Sequence, residues 1–171
     1  MVKFVILLVF ILSPVQTLLA QKQLHPEALG KFIPAKLVGY YEEGDMHGSQ
    51  KAIGNLSYSV CERRFAKGKQ KIKILLFDYK DAPIMYKQAM KSGKNIQTLE
   101  TDSLVARNVV ALNYTGWETY NSKAASSQIF LGIADRFFLM LSAEHVDLVT
   151  LQQILPNFKF ESFSEQISLG Y

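Results

Sequence analysis

The chain has 171 residues, 19 of them Lys or Arg and 15 Asp or Glu, with a formal net charge of +4, 49% hydrophobic residues and one cysteine. That charge balance is too even to mark a nucleic-acid binder, and a lone cysteine excludes an internal disulfide framework and a multi-cysteine metal cluster. After its first twenty residues the chain is one domain in length, long enough to bury a core without covalent staples.

Residues 1–20 read as a secretory signal peptide. Lys3 supplies a short positive start, Phe4–Leu12 is an unbroken apolar run, Ser13-Pro14 ends it, and Ala20-Gln21 offers a small residue before the cut. Leu18 departs from the small residue preferred three positions before the cut. A retained anchor is the other reading. Nine helical residues span only about 14 Å against a hydrocarbon core of about 30 Å, which disfavours it. No cysteine follows the apolar run to serve as a lipoprotein anchor, and nothing later in the chain approaches the length of a membrane-spanning helix. The expectation is an exported, periplasmic or extracellular protein with no stable membrane anchor once the leader is removed. Without the leader, 18 basic residues face 15 acidic ones.

Pro26-Glu27-Ala28-Leu29 opens a short helix, with Pro26 in its first turn and Gly30 at its end. Lys36–Glu42 reads as a first strand. Glu43–Gly54 is glycine-rich and polar and reads as a loop or irregular hairpin connection. Leu56–Ala66 alternates as a second strand, and Lys67-Gly68-Lys69 is a turn. Lys71–Tyr79 is the clearest strand: Ile72, Ile74 and Leu76 mark one face, while Leu75 and Phe77 make the other apolar as well, so it is covered on both sides. Pro83–Lys91 reads as a helix with Tyr86 and Met90 stacked one turn apart.

Ser92–Ser103 is a polar connection with room for some strand. Leu104–Asn113 and Trp117–Tyr120 are strands around a turn at Tyr114-Thr115-Gly116, and Asn121–Ser127 is a small-residue turn. Gln128–Ile133 and Arg136–Ser142 face each other across Ala134-Asp135 as a hairpin. The second of these is apolar on both faces, which makes it a central strand or an edge strand covered by a helix. Asp147 caps a last helix carrying Leu148, Leu151 and Leu155, which Pro156 ends; Phe158 and Phe160 remain to pack on the domain. The expected fold is α+β: an antiparallel sheet of about six or seven strands with helices packed on it, formed by residues 21–171 as a single domain.

Few residues carry chemistry. Tyr40–Gly48 gathers Glu42, Glu43, Asp45 and His47, donors suited to a divalent cation, but the spacing matches neither a calcium loop nor an H-E-x-x-H helix and fits a solvated loop better. His25 and His145 stand alone, and the motifs of nucleophile elbows and phosphate loops are absent from the sequence. His145 reads as a helix-terminus residue. Cys61 reads as a small buried strand residue rather than a reactive thiol or an intermolecular bridge. Arg63-Arg64 and Lys67–Lys71, joined by Phe65, form a basic hairpin tip, either a surface for anionic partners or lysines guarding a strand edge. Tyr114, Trp117 and Tyr120 suit cross-strand pairing better than a ligand groove. Asn55-Leu56-Ser57 and Asn113-Tyr114-Thr115 are glycosylation sequons that matter only in a eukaryotic host.

Pro26-Glu27-Ala28-Leu29, Ser59–Phe65, Phe77-Asp78-Tyr79 and Asp135-Arg136-Phe137-Phe138 resemble short motifs of a group of small uncharacterised exported proteins of Gram-negative bacteria. The likeness extends over Phe32–Gly39, Ala52–Phe65 and Ile133–Leu155. In outline the arrangement is also similar to the PsbP/Mog1-like α/β/α sandwich, a fold used mostly by non-enzymatic accessory and binding proteins. Neither resemblance supplies catalytic, cofactor-binding or metal-ligating residues. The functional expectation is an exported, non-enzymatic binding or accessory module, with a protein or envelope component as partner and no cofactor. A hydrolase or metal-dependent enzyme using His47 or His145, and a carrier of an apolar ligand, are the alternatives.

Overall fold

The computed structural model describes residues 23–94, 96 and 98–163; the signal peptide assigned to residues 1–20 lies outside them. After helix α1 (Pro26–Leu29) and a 3-10 turn (Gly30–Phe32) come strands β1 (Tyr41–Glu42), β2 (His47–Ile53), β3 (Leu56–Lys67) and β4 (Gln70–Asp78). Helix α2 (Pro83–Lys94) follows, then β5 (Leu99–Glu100), β6 (Leu104–Ala111), β7 (Tyr114–Asn121), β8 (Ser126–Ile133) and β9 (Phe137–Glu144), and finally α3 (Leu148–Gln152) and a 3-10 turn (Leu155–Asn157). The nine strands among the described residues form one sheet in the order β1-β3-β4-β9-β8-β7-β6-β5, with β2 also on β3. Every pairing is antiparallel, so the architecture is α+β with a sheet larger than the six or seven strands expected.

The sheet is covered on both faces. On one, Cys61, Phe65, Ile72, Ile74, Leu76, Ile129, Leu131, Leu139 and Leu141 pack against Leu29, Phe32 and Ile33 from the N-terminal segment and Leu151, Phe158 and Phe163 from the C-terminal one. Each such side chain, fully buried, is worth about 1.5–3 kcal/mol of transfer free energy. On the other face Ala82, just before α2, and Tyr86 within it lie over Tyr79, Trp117 and Phe138. Two glycines permit this approach. A Cβ on Gly93 would sit 1.9 Å from the Trp117 ring, and one on Gly132 would sit 2.5 Å from Met90 Sδ. As expected for its two apolar faces, β9 is central, between β4 and β8.

Several boundaries differ from the sequence reading, each for a physical reason. Only Tyr41–Glu42 of the expected strand 36–42 pairs, because Val38 and Gly39 form a turn in which Gly39 has φ +81°. His47–Ile53, expected as a loop, is a seven-residue strand whose partner is the long outer edge of β3. The β6–β7 turn falls at Leu112-Asn113 (φ 51° and 69°) rather than at 114–116, and Gly116 lies inside β7. There a Cβ would come 1.8 Å from the Phe130 carbonyl oxygen, so the glycine serves close strand approach, not a turn. Ala134 and Asp135, both at positive φ, turn the chain between β8 and β9 as expected, but Ile133 pairs with Phe137, so Arg136 belongs to a three-residue loop and not to the strand. Asp147 caps α3 by accepting from Thr150 N–H at 2.7 Å; the helix ends at Gln152, and Leu155 and Pro156 lie in a separate 3-10 turn.

Candidate functional site

Alternation along a strand decides which of the basic residues meet. Arg63 and Arg64 point to opposite faces of β3, so the basic hairpin tip is divided rather than a single patch. On the α2 side, the register sets Arg64 beside Lys73, Lys73 beside Ser142, and Ser142 beside Gln128. One step further along, Lys71, Glu144 and Ser126 form a second row. The same face is apolar under α2, through Phe77, Phe130 and Phe138, and turns polar past Met140 where α2 no longer covers it. The result is an open shelf of about 360 Å3 across β3, β4, β9 and β8, to which Glu43 also contributes. Arg64 pairs with Glu62 and Lys71 lies 3.8 Å from Glu43, while Lys73 and Glu144 make no ion pair with a described residue.

The candidates singled out by residue type do not converge. His25, His47 and His145 are exposed, and neither the His47 nor the His145 imidazole makes a hydrogen bond or ion pair with a described residue. His145 holds φ +57°, the exit from β9 before the α3 cap, in keeping with a terminus role. Among the described residues no group of three His, Cys, Asp or Glu could hold a metal ion. Glu42 instead lies 3.3 Å from Arg63, and Glu43 faces the shelf. Cys61 is buried, and burial pushes its thiol up to about 11. Asn55 and Asn113 both sit at exposed hairpin turns.

No protein-family model, curated protein or solved structure matches the chain. No helix among the described residues is long and apolar enough to cross a membrane.

Two buried polar clusters went unassigned in the sequence. Asp78, fully buried at the end of β4, accepts from Arg136 Nε at 2.7 Å and from Nη2 at 2.6 Å. It also accepts the main-chain N–H of Leu24 at 2.7 Å and of Lys80 at 3.0 Å. Ser59 Oγ donates to the Leu24 carbonyl at 2.6 Å, so the segment entering α1 is tied to the sheet from two sides. These acceptor positions are filled by the protein itself, which makes the pair a structural fastener. The only sequence signal was an aspartate closing a doubly apolar strand and an arginine opening another.

The second cluster is Glu118, buried in β7, which accepts from Arg107 Nε and Gln152 Nε2, each at 2.7 Å. The Glu118 hydrogen bond, and then its charge, hold the Arg107 guanidinium pKa above its ordinary value. Arg107 and Glu118 end a groove of about 430 Å3 between β6 and the C-terminal segment, walled by Val109, Ala111, Leu155 and Pro156. By contrast, the interface between the sheet and α2 is filled by side chains: Trp117 stacks on Phe130 at 4.7 Å, and Phe138 packs against both. Of the three aromatic residues expected to pair across strands, Trp117 does so with Phe130, whereas Tyr114 stacks on Phe160 of the C-terminal segment at 5.5 Å and Tyr120 lies opposite Val105 and Ser127.

Proposed function

We propose that this protein is an exported, non-enzymatic binding or accessory module that meets a protein or envelope component on the polar shelf of its sheet. The observation that carries this reading is the uncovered half of the α2-side face, where Arg64, Lys71, Lys73, Ser126, Gln128 and Ser142 present side chains beyond the end of the apolar layer. Serine hydroxyls, an amide and charges of both signs suit a hydrogen-bonding surface, such as a folded protein or a glycan, better than a polyanion. Helices on both faces of an antiparallel sheet also agree with the PsbP/Mog1-like outline, although the sheet here is wider. Export rests on residues 1–20. Its test is the mature protein in the extracytoplasmic fraction with an N-terminus at Gln21.

Site-specific photo-crosslinking in the source cell tests the shelf. A photoreactive residue at Gln128 is expected to give a discrete adduct, and one at Lys91 on the exposed side of α2 is expected to give none. Equal adducts from both positions, or none from Gln128, would overturn the reading. The groove beside Arg107 favours a second reading, an apolar-ligand carrier. Native mass spectrometry of protein purified from its source, with no bound mass, would count against that carrier.

A further inference from the structure

On the opposite face from the shelf, a cleft of about 560 Å3 opens between the N-terminal segment and the residues after α3. Four cationic side chains distant in sequence line it: Lys31 from the 3-10 turn, Lys36 from the loop that follows, Arg63 from β3, and Lys159 from the C-terminal segment. Glu27 is the one acid in the lining, and Glu42 stands behind Arg63. None of Lys31, Lys36 and Lys159 lies within ion-pair distance of an acid among the described residues.

Arg63 itself is poorly satisfied. Its Nη1 donates to the Pro34 carbonyl at 3.3 Å and its Nη2 to Met46 Sδ at 3.5 Å, a long bond and a weak acceptor for a guanidinium. Its Nε is buried and faces the Glu42 carboxylate, 3.3 Å away, as an ion pair without hydrogen-bond geometry, so the terminal nitrogens are the groups left for a ligand. An arginine whose terminal N–H groups are held only by a long bond and a weak acceptor, ringed by lysines with no acid within ion-pair distance among the described residues, is the donor set that phosphoryl oxygens take.

We propose that this cleft binds a phosphoryl oxyanion, carried either by a phospholipid headgroup or by a free phosphate or phosphate ester. The site does not rest on the shelf, which lies across the sheet. An anion here would offer the Arg63 terminal N–H groups a stronger acceptor than the Pro34 carbonyl and Met46 sulfur, and would neutralise the lysines that the fold brings together from the N-terminal and C-terminal segments.

The test uses the mature protein with two probes, inorganic phosphate by calorimetry and vesicles of phosphatidylglycerol against phosphatidylcholine by co-sedimentation. Saturable binding of phosphate assigns a free-phosphate ligand, and binding only to the anionic vesicles assigns a headgroup. In either case K31E/K159E is expected to weaken binding roughly tenfold or more, and R63K, which keeps the charge but loses the fork, is expected to weaken it by several-fold. The charge-matched K87E/K91E variant on α2 is expected to stay within about twofold. Thermal melts of all three variants establish that they fold. Binding of neither probe, or equal loss in K87E/K91E and K31E/K159E, would overturn the proposal.

Discussion

Removing the Arg136 side chain tests whether the buried ion pair fastens the N-terminal segment. In Arg136→Met the Asp78 carboxylate, fully buried, loses hydrogen bonds of 2.7 and 2.6 Å and keeps only the Leu24 and Lys80 N–H groups. The Arg136 guanidinium also lies 4.6 Å from the centre of the Phe137 ring, and methionine brings no cation to replace it there. Breaking a buried pair by removing one partner costs about 3–5 kcal/mol, because the remaining charge stays desolvated. At about 2–4 °C per kcal/mol for a domain of this size, the melting temperature falls by about 6–20 °C. The single tryptophan, buried under α2, reports unfolding in urea by its fluorescence. The double variant D78N/R136M removes the stranded charge while leaving one acceptor for the two main-chain donors, and is expected to recover about 1–2 kcal/mol of the loss. A loss below about 1 kcal/mol in R136M, or a double variant no more stable than the single, would refute the reasoning.

Gly116→Ala drives a methyl group into a carbonyl that sheet pairing holds in place, 1.8 Å from where the Cβ would sit, so a loss at the upper end of about 1–3 kcal/mol is expected in urea titrations. Alkaline pH is expected to destabilise the fold. Burial raises Cys61 from 9.0 to about 11, and Tyr79 and Tyr86 from 10.0 to about 12. The unfolded chain therefore releases protons first, and stability, level between about pH 7 and 9, falls from there towards about pH 12. Melting temperatures across that range check the sign, and the Cys61→Ser variant is expected to show a shallower fall between about pH 9 and 11. Glu118→Ala strands Arg107 and Gln152, and hydrogen exchange is expected to speed up in residues 148–155 while β4 and β9 stay protected.

The alternation of β3, β4 and β9, the hairpin at Ala134-Asp135 and the Asp147 cap were legible because each depends on residues within one or two turns of the chain. The shelf was half legible: the basic residues stood out, but the division of Arg63 from Arg64, and the meeting of Lys73 with Ser142 and Gln128, required the register between strands far apart in sequence.

Sequence by itself determined the two-sided apolar strands and the caps, since side-chain periodicity and turn chemistry act over short distances. Tertiary structure alone decided that His47–Ile53 is a strand, that Gly116 lies inside one, and that Asp78 finds Arg136. A weak strand forms when a long partner edge satisfies its backbone, and a buried charge is tolerated when its partner arrives from another part of the chain. Neither condition is visible before the chain folds.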